Sequence, residues 1–425
     1  MLELKFIREN TDKIRQTIAN KKANVDLDLF LSLDNDRRKK ISEVEQLKAN
    51  RNTVSKEIGQ KKSKGEDASD ILAQMQKVAD TIHALDEEVK AIDEKMHTMT
   101  LYIPNVTHPS LPHGDMTQNQ VIRQWGQKPH FDFKPQAHWD IGEKLGMIDL
   151  KTGAKITGSG FVLYKNAGAL LERALINFMI DMHVTEHGFQ EIFPPFLVNR
   201  DSMTGTGQLP KLEADMYRLE ADDLFLVPTA EVPVTNIHRE EILDESQLPI
   251  NYVAYTPCFR REAGSYGKDT RGIIRVHQFD KVEMVKFVKP EESYDHLEAL
   301  VRYAEAVLQR LNLHYQIVLL ADGDLSFSAS KCYDIEVWAP GQDKYLEVSS
   351  CSNFEAFQAR RANIRYKKKD GKTEFVHTLN GSGIALARTV VAILENYQTK
   401  NSELIIPEAL RKYMRGLEKL SPKND

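Results

Sequence analysis

Nine apolar residues, Ile71, Met75, Val78, Ile82, Leu85, Val89, Ile92, Met96 and Met99, follow one another at alternating steps of four and three without a miss. A stripe of that period suits a helix that keeps one seam against a neighbouring helix, and it suits no strand. Upstream, Val44, Leu47, Val54 and Ile58 keep the same spacing, with Arg51 at the intervening seam position. The polar segment 59–67 between the stripes contains Gly59 and Gly65, so the chain can turn back there. The reading is an antiparallel helical hairpin over about residues 30–100. At about 1.5 Å per residue its second helix would be roughly 40 Å long. Pro104, Pro109 and Pro112 end it.

Charge divides between the two helices. Residues 37–64 hold ten Lys/Arg against three Glu, a net of +7, whereas residues 66–95 hold nine acids against three Lys, a net of −6. One reading is neutralisation across the seam. The other is a basic face of Arg37, Arg38, Lys48, Arg51, Lys56, Lys61 and Lys62 that contacts a phosphate backbone. The whole chain carries only −5, which disfavours bulk non-specific nucleic-acid binding. Its three cysteines, Cys258, Cys332 and Cys351, lack CxxC spacing, which fits a reducing compartment. The start, Met1 to Phe6, lacks the apolar core of a signal peptide, and no apolar run of about 18 residues exists. The expectation is a cytoplasmic protein.

From about residue 120 the character is α+β. Helices are expected near Ala167 to His187, Ser293 to Leu311 and Ile384 to Tyr397. Strand-like runs fall at 223–227, 250–254, 273–285, 315–320, 334–338 and 345–349. Adjacent strands without strict alternation with helices favour a mostly antiparallel sheet flanked by helices. In the strand 345–349, Tyr345, Glu347 and Ser349 would share one face and Leu346 and Val348 the other.

The stretch Thr256 to Glu283 reads as a hairpin, with Arg260, Glu262, Arg275 and Glu283 on or beside strands that would normally carry apolar residues. Charged groups are rarely buried unless paired, so their density there suggests a polyanion held on a sheet. The glycine loops that usually hold phosphate are absent. Gly267-Lys268 would need a glycine at Glu262 and Ser/Thr at Asp269. Arginine serves instead, because its planar fork meets phosphate oxygens bidentately.

Three segments then resemble the motifs of class II aminoacyl-tRNA synthetases. Gly188 to Leu197, with Pro195, resembles the dimer-interface motif. Phe259-Arg260-Arg261-Glu262 and the strand Arg275 to Phe279 resemble the second motif. Gly381-Ser-Gly383-Ile-Ala-Leu-Ala-Arg388 resembles the third, with Ala385 and Ala387 where Gly and Glu are usual. Within the class, Gly205 to Lys211, Pro228-Thr229-Ala230-Glu231, Glu347 to Phe354 and His377 to Gly383 resemble the seryl-tRNA synthetase family, as does the helical arm. The resemblance covers essentially the whole chain. It divides the chain into a tRNA-binding arm, 1–110, and a catalytic domain with a dimer interface, 111–425.

The resemblance implies a bacterial-type enzyme that makes seryl-adenylate from L-serine and ATP with Mg²⁺, then charges tRNA(Ser) and, where present, tRNA(Sec). It implies a homodimer with no membrane association. Thr229, Ala230, Glu231, Glu283 and Ser382 would form the serine site. Arg260, Arg261, Glu262, Glu347, Val348, Ser349, Ser350 and Arg388 would bind ATP. Arg260 would meet the α-phosphate, Glu262 the adenine amino group and Arg388 the γ-phosphate. Glu347 and Ser350 would hold Mg²⁺ through hard oxygen ligands. Arg37, Arg38, Lys48, Arg51 and Lys56 would contact tRNA, and the loop with Tyr266, Lys268 and Arg271 would meet its acceptor end. Only 37 residues follow Arg388, too few for the C-terminal anticodon domain of threonyl and prolyl relatives. Taken singly, Thr229 and Ser382 would pass as capping or turn residues. A carrier-protein-loading homologue and a non-catalytic RNA-binding paralogue also remain open.

Overall fold

The computed structural model describes residues 1–263 and 271–422. The chain separates into two compact units, Leu2–Pro104 and Asn105–Asp425 together with Met1.

The first unit opens with two short helices, α1 (Leu4–Glu9) and α2 (Thr11–Asn20), followed by the long pair α3 (Leu27–Ser63) and α4 (Ser69–Thr100). Asp26 caps α3 by accepting from Leu29 N at 2.9 Å, and the buried Asp34 is held by Arg8 of α1 at 3.0 Å. All nine stripe residues of α4 are buried or half-buried, while most positions between them are exposed. A two-helix seam can bury only one narrow stripe, which is what the period demands. The turn is later and shorter than the polar segment suggested. Gly59 continues the helix, and the chain reverses at 64–68, where Gly65 takes φ +75°. One isolated glycine costs a long helix only about 1 kcal/mol, which the seam contacts on either side outweigh.

The second unit is built on an eight-stranded sheet. In chain order its strands are β1 (Gln120–Trp125), β2 (Gln190–Ile192), β3 (Ile250–Phe259), β4 (Gln278–Val288), β5 (Tyr315–Leu319), β6 (Lys331–Ala339), β7 (Lys344–Asn353) and β8 (His377–Ala385). Their order across the sheet is β1-β5-β6-β7-β8-β4-β3-β2, antiparallel throughout except for β2 against β3. The helices that matter for the site are α5 (Ala167–Thr185), α6 (Arg200–Thr206), α7 (Glu231–Thr235), α8 (Ser293–Arg310), α9 (Phe357–Ala362) and α10 (Leu386–Asn396). Val282, Met284, Ile335, Val337, Val348 and Leu379 project from one face of the sheet into a core shared with α5, α8 and α10. The opposite face buries a smaller apolar cluster with Ala254 of β3 and Val285 and Phe287 of β4, and carries polar side chains beside it.

Three sequence expectations are corrected here. The strand expected over 273–285 begins only at Gln278, opposite Phe259, and runs to Val288. The residues before it use their backbone elsewhere: Ile273 N donates to His138 Nε2 at 3.1 Å and Ile274 O accepts from Arg388 Nε at 3.3 Å. Ile384, at φ +120°, belongs to β8, which runs to Ala385, instead of starting the helix, which begins at Leu386. The simple alternation expected along β7 is broken by a bulge at Val348: Glu347 faces Glu336, and Ser349 faces Ile335. An extra residue in one strand shifts every later side chain to the other face. Glu347 and Ser350 therefore share a face although three apart, and Ser349 turns away from Glu347.

The wall formed by 273–276 is fixed by a buried relay. Glu395 of α10, with no exposed surface, accepts from His138 N at 3.0 Å and Gly341 N at 2.8 Å and pairs with His138 Nδ1 at 2.9 Å. Since His138 Nε2 accepts from Ile273, its proton lies on Nδ1, toward the carboxylate.

Candidate functional site

A cavity of about 690 Å³ lies over the polar face of β4, β7 and β8. Strand alternation puts Phe279, Lys281 and Glu283 of β4 on the same face. Glu283 is opposite Ser382 of β8, and Asn380 of β8 is opposite Ser352 of β7. The side chains from three strands thereby converge on one patch, and α7 and α9 close it from the side.

One end of the patch is acidic and buried. Asn380 Nδ2 donates to Glu231 Oε2 and to Glu283 Oε1, each at 2.9 Å. Gln358 of α9 donates from Nε2 to Glu231 Oε1 at 2.5 Å and to Thr206 O at 3.2 Å, and its Oε1 accepts from Thr378 Oγ1 at 2.7 Å. Ser382 Oγ donates to Glu283 Oε2 at 3.3 Å, while Lys281 Nζ reaches the same oxygen at 2.6 Å and Thr229 Oγ1 at 2.9 Å. Burial, followed by the neighbouring charge of Glu283, pushes the Glu231 carboxyl up to about 7.

The rest of the patch carries arginines, two of them paired with carboxylates. Arg260 Nε donates to Pro228 O at 3.3 Å, and its guanidinium stands over the Phe279 ring at 5.2 Å. Arg388, projected by the β8–α10 turn, donates from NH1 to Glu347 O at 2.7 Å and lies 3.5 Å from the Glu347 carboxylate. Glu262, in the left-handed conformation at φ +51°, pairs with Arg275. Ser350 Oγ donates to Asp334 Oδ1 at 2.6 Å. Burial, then the charge of Glu347, pushes Asp334 well above the usual carboxylate range.

Most residues expected at the site meet there. Thr229, Glu231, Ser382, Arg260, Glu262, Glu347, Val348, Ser349, Ser350 and Arg388 line the cavity. Ser349 does so with its hydroxyl turned to the Ser382 carbonyl at 2.7 Å. Three do not. Ala230 is buried in the core behind Thr229, Arg261 is exposed and off the wall, and Glu283 is fully buried behind Lys281. Tyr266 and Lys268 lie outside the described residues, and Arg271 stands over the Trp139 ring at 4.6 Å. Sequence reasoning missed Lys281, Asn380, Gln358 and Asp334. Lys281 and Asn380 were within reach, each two residues from a named site residue on its own strand. Gln358 is brought in by tertiary packing alone.

On the first unit, Arg37 pairs with Asp93, and Lys48 lies 3.1 Å from Asp86. Lys40 lies 2.6 Å from Glu88. The acidic helix therefore neutralises part of the expected basic face. Arg38, Arg51 and Lys56 make no ion pair among the described residues.

An antiparallel sheet floor, with one arginine after β3 and another from a strand-to-helix turn, defines a class II tRNA synthetase core. The family model of the tRNA synthetase class II core domain (G, H, P, S and T) matches residues 214–397, and that of the seryl-tRNA synthetase N-terminal domain matches residues 1–107. The chain belongs to the seryl-tRNA synthetase family. It is 56% identical over 425 residues to the serine–tRNA ligase of Carboxydothermus hydrogenoformans, covering all of both chains. Its fold matches the seryl-tRNA synthetase of Pyrococcus horikoshii complexed with ATP, with a TM-score of 0.95 and 39% identity over the whole of both chains. It also matches the cytoplasmic serine–tRNA ligase of Naegleria fowleri in complex with AMP, with a TM-score of 0.89 and 31% identity, covering 100% of this chain and 99% of that one.

The folded protein keeps the Glu231 proton up to about 7, whereas the unfolded chain loses it near 4.5. This group therefore adds stability as pH falls from about 7 toward 4.5, and that contribution is lost as pH rises. Between about pH 8 and about pH 6 the wild type should gain about 1 kcal/mol relative to Glu231→Gln, read from urea midpoints. A difference that does not change with pH would show that Glu231 does not take up a proton in this range.

Proposed function

We propose that the cavity activates L-serine with ATP and that the helical arm brings tRNA(Ser) to it. The reaction is that of a serine–tRNA ligase. A serine carboxylate oxygen attacks the α-phosphorus of ATP, the bond to the bridging oxygen breaks and pyrophosphate leaves. A hydroxyl at the 3′ end of the tRNA then loses its proton and attacks the seryl carbonyl carbon, the acyl–phosphate bond breaks and AMP leaves. The observation that carries this reading is that one cavity is bordered both by a buried carboxylate pair bridged by Asn380 and by the guanidinium groups of Arg260 and Arg388. An amino acid presents an ammonium group to the first, and a polyphosphate presents its charge to the second.

In this assignment Thr229, Glu231 and Glu283 hold the serine ammonium, with Ala230 as a backbone element of that wall, and Ser382 and Asn380 border the side chain. A small polar wall suits a hydroxyl substrate, since a site built to bond an OH rejects analogues that lack it. Arg260 meets the α-phosphate and offsets the charge developing there, and Arg388 meets the γ-phosphate. Glu262, held by Arg275, accepts from the adenine amino group. No side chain need act as a nucleophile, because positioning and fixed charge suffice.

The Mg²⁺ ions of this chemistry bind through one or two carboxylates and the substrate's phosphates. The donors at that place fit: the Glu347 carboxylate, half-exposed into the cavity, and the Ser350 hydroxyl beside Asp334. When bound, the ion would neutralise phosphate charge. The protein's own part is to keep Glu347 and Ser350 on one face through the bulge.

A homodimer is supported by the edge strand β2 and the chain after it, where Phe193 is 74% exposed and Leu197 39%. Exposed apolar groups beside an unpaired strand edge suit a second copy. A cytoplasmic location is supported by three free, buried cysteines. Among the described residues no helix is long and apolar enough to cross a membrane. On the arm, Arg38, Arg51 and Lys56 are the stronger candidates for RNA contact, since Arg37 and Lys48 already have partners. The A-form major groove is closed to side chains, so such an arm reads backbone and shape.

Arg260→Ala should lower serine-dependent pyrophosphate exchange by at least about 100-fold, the range for loss of one transition-state charge contact. Near-normal exchange would refute its phosphate role. Replacing 36–96 by a short linker joins helices already adjacent at the Arg37–Asp93 pair. That variant should retain exchange and lose tRNA charging, and unimpaired charging would make the arm structural.

A further inference from the structure

Two of the residues assigned to the substrate ammonium, Thr229 and Glu283, already hold an ammonium group. Lys281 Nζ lies 2.9 Å from Thr229 Oγ1 and 2.6 Å from Glu283 Oε2. Lys281 and Glu283 stand two apart on β4 and so leave the strand on the same side. Glu283 has no exposed surface and no share in the cavity wall, whereas Lys281 lines it. The lysine is interposed between the carboxylate and the cavity.

We propose that Lys281 is a built-in stand-in for the substrate ammonium, holding its place on Thr229 and Glu283 and yielding it when serine binds. The proposal rests on the serine-site assignment above and adds a specificity-determining residue to it. The exchange is like for like, one three-donor –NH₃⁺ group for another. A buried carboxylate is costly without a cation beside it, so Glu283 requires a charge at that point before substrate arrives. A tethered lysine supplies it without admitting an inorganic cation or a free amine. The tether also sets a threshold. Only the population with Lys281 withdrawn binds substrate, and apparent affinity falls by that fraction. A hydroxy acid that keeps the serine hydroxyl and carboxylate but lacks the amino group cannot make the exchange.

The charged and titratable groups that face this cluster are Glu231 of α7, Arg260 after β3, Cys258 of β3 and Cys351 of β7. Burial pushes both thiols up, that of Cys351 to about 12, so they stay neutral. Among the described residues Lys281 is the cation in direct contact with Glu283.

The test is the KM for serine and for ATP in pyrophosphate exchange at about pH 6.5 and about pH 8.5, for the wild type, Lys281→Met and Glu283→Gln. Methionine keeps the apolar stem and removes the charge. Without the cation, Glu231 and Glu283 repel across Asn380, and the pair retains a proton until an ammonium replaces the lysine. In Lys281→Met the serine KM should therefore exceed the wild-type value by at least about tenfold near pH 6.5. Near pH 8.5 it should equal the wild-type value or fall below it, because the competitor is gone. The ATP KM should stay within about twofold at both pH values. A serine KM raised by the same factor at both pH values, or unchanged at both, overturns the proposal. Glu283→Gln separates the two claims. A raised serine KM upholds the site assignment whatever Lys281→Met does, and an unchanged one removes both the assignment and the proposal.

Discussion

Asn380 Nδ2 stands between two buried carboxylates, and the arrangement of the cavity depends on that bridge. Two like charges in a low-dielectric interior repel strongly unless each is compensated. Here Glu231 is compensated by Asn380 and Gln358, and Glu283 by Asn380, Ser382 and Lys281. These donors come from α9, β8 and β4, and the carboxylates from α7 and β4. Satisfying the charges therefore pins α7 and α9 to the sheet. Gln358 extends the same network to the carbonyl of Thr206 at the end of α6, which borders the cavity. The carboxylate pair is thereby fixed in place, and the proposed function assigns the ligand's negative charge to Arg260 and Arg388.

How much of this was legible in the sequence depended on whether the signal was local. The arm was legible because a 3.5-residue stripe has one structural solution, and its turn was misplaced because Gly59 is tolerated in a long helix. The β3–β4 hairpin was legible from its flanking alternations. Its second strand starts later than the apolar residues suggested, since Ile273 and Ile274 spend their backbone groups on His138 and Arg388. Lys281 was hidden by attention to Glu283 alone, although the strand period places both on one face. The bulge at Val348 has no local signature, yet it decides that Ser350 and not Ser349 joins Glu347. Gln358 could not be found from sequence at all, because its partners Thr206, Glu231 and Thr378 are remote and only the folded chain assembles them.

The arm shows how composition can overstate a function. A net of +7 along α3 looks like a nucleic-acid surface, but part of that charge is answered by α4 across the seam. Exposed pairs of this kind contribute little stability, and their value lies more in fixing which helix face meets which. Under the proposed function, what remains for RNA is the subset not so engaged. Such contacts are expected to be strongly salt-dependent, as phosphate contacts are.

The central claim is that the bridged carboxylate pair forms the amino-acid end of the site and leaves the nucleotide end to the arginines. It is tested most directly by the separate KM values for serine and ATP in Asn380→Leu, a substitution of similar bulk without the bridging donor. Losing one charge-assisted donor should raise the serine KM on the order of 30-fold while the ATP KM stays within about twofold. A serine KM that does not change, or a serine and an ATP KM that rise together, would contradict it.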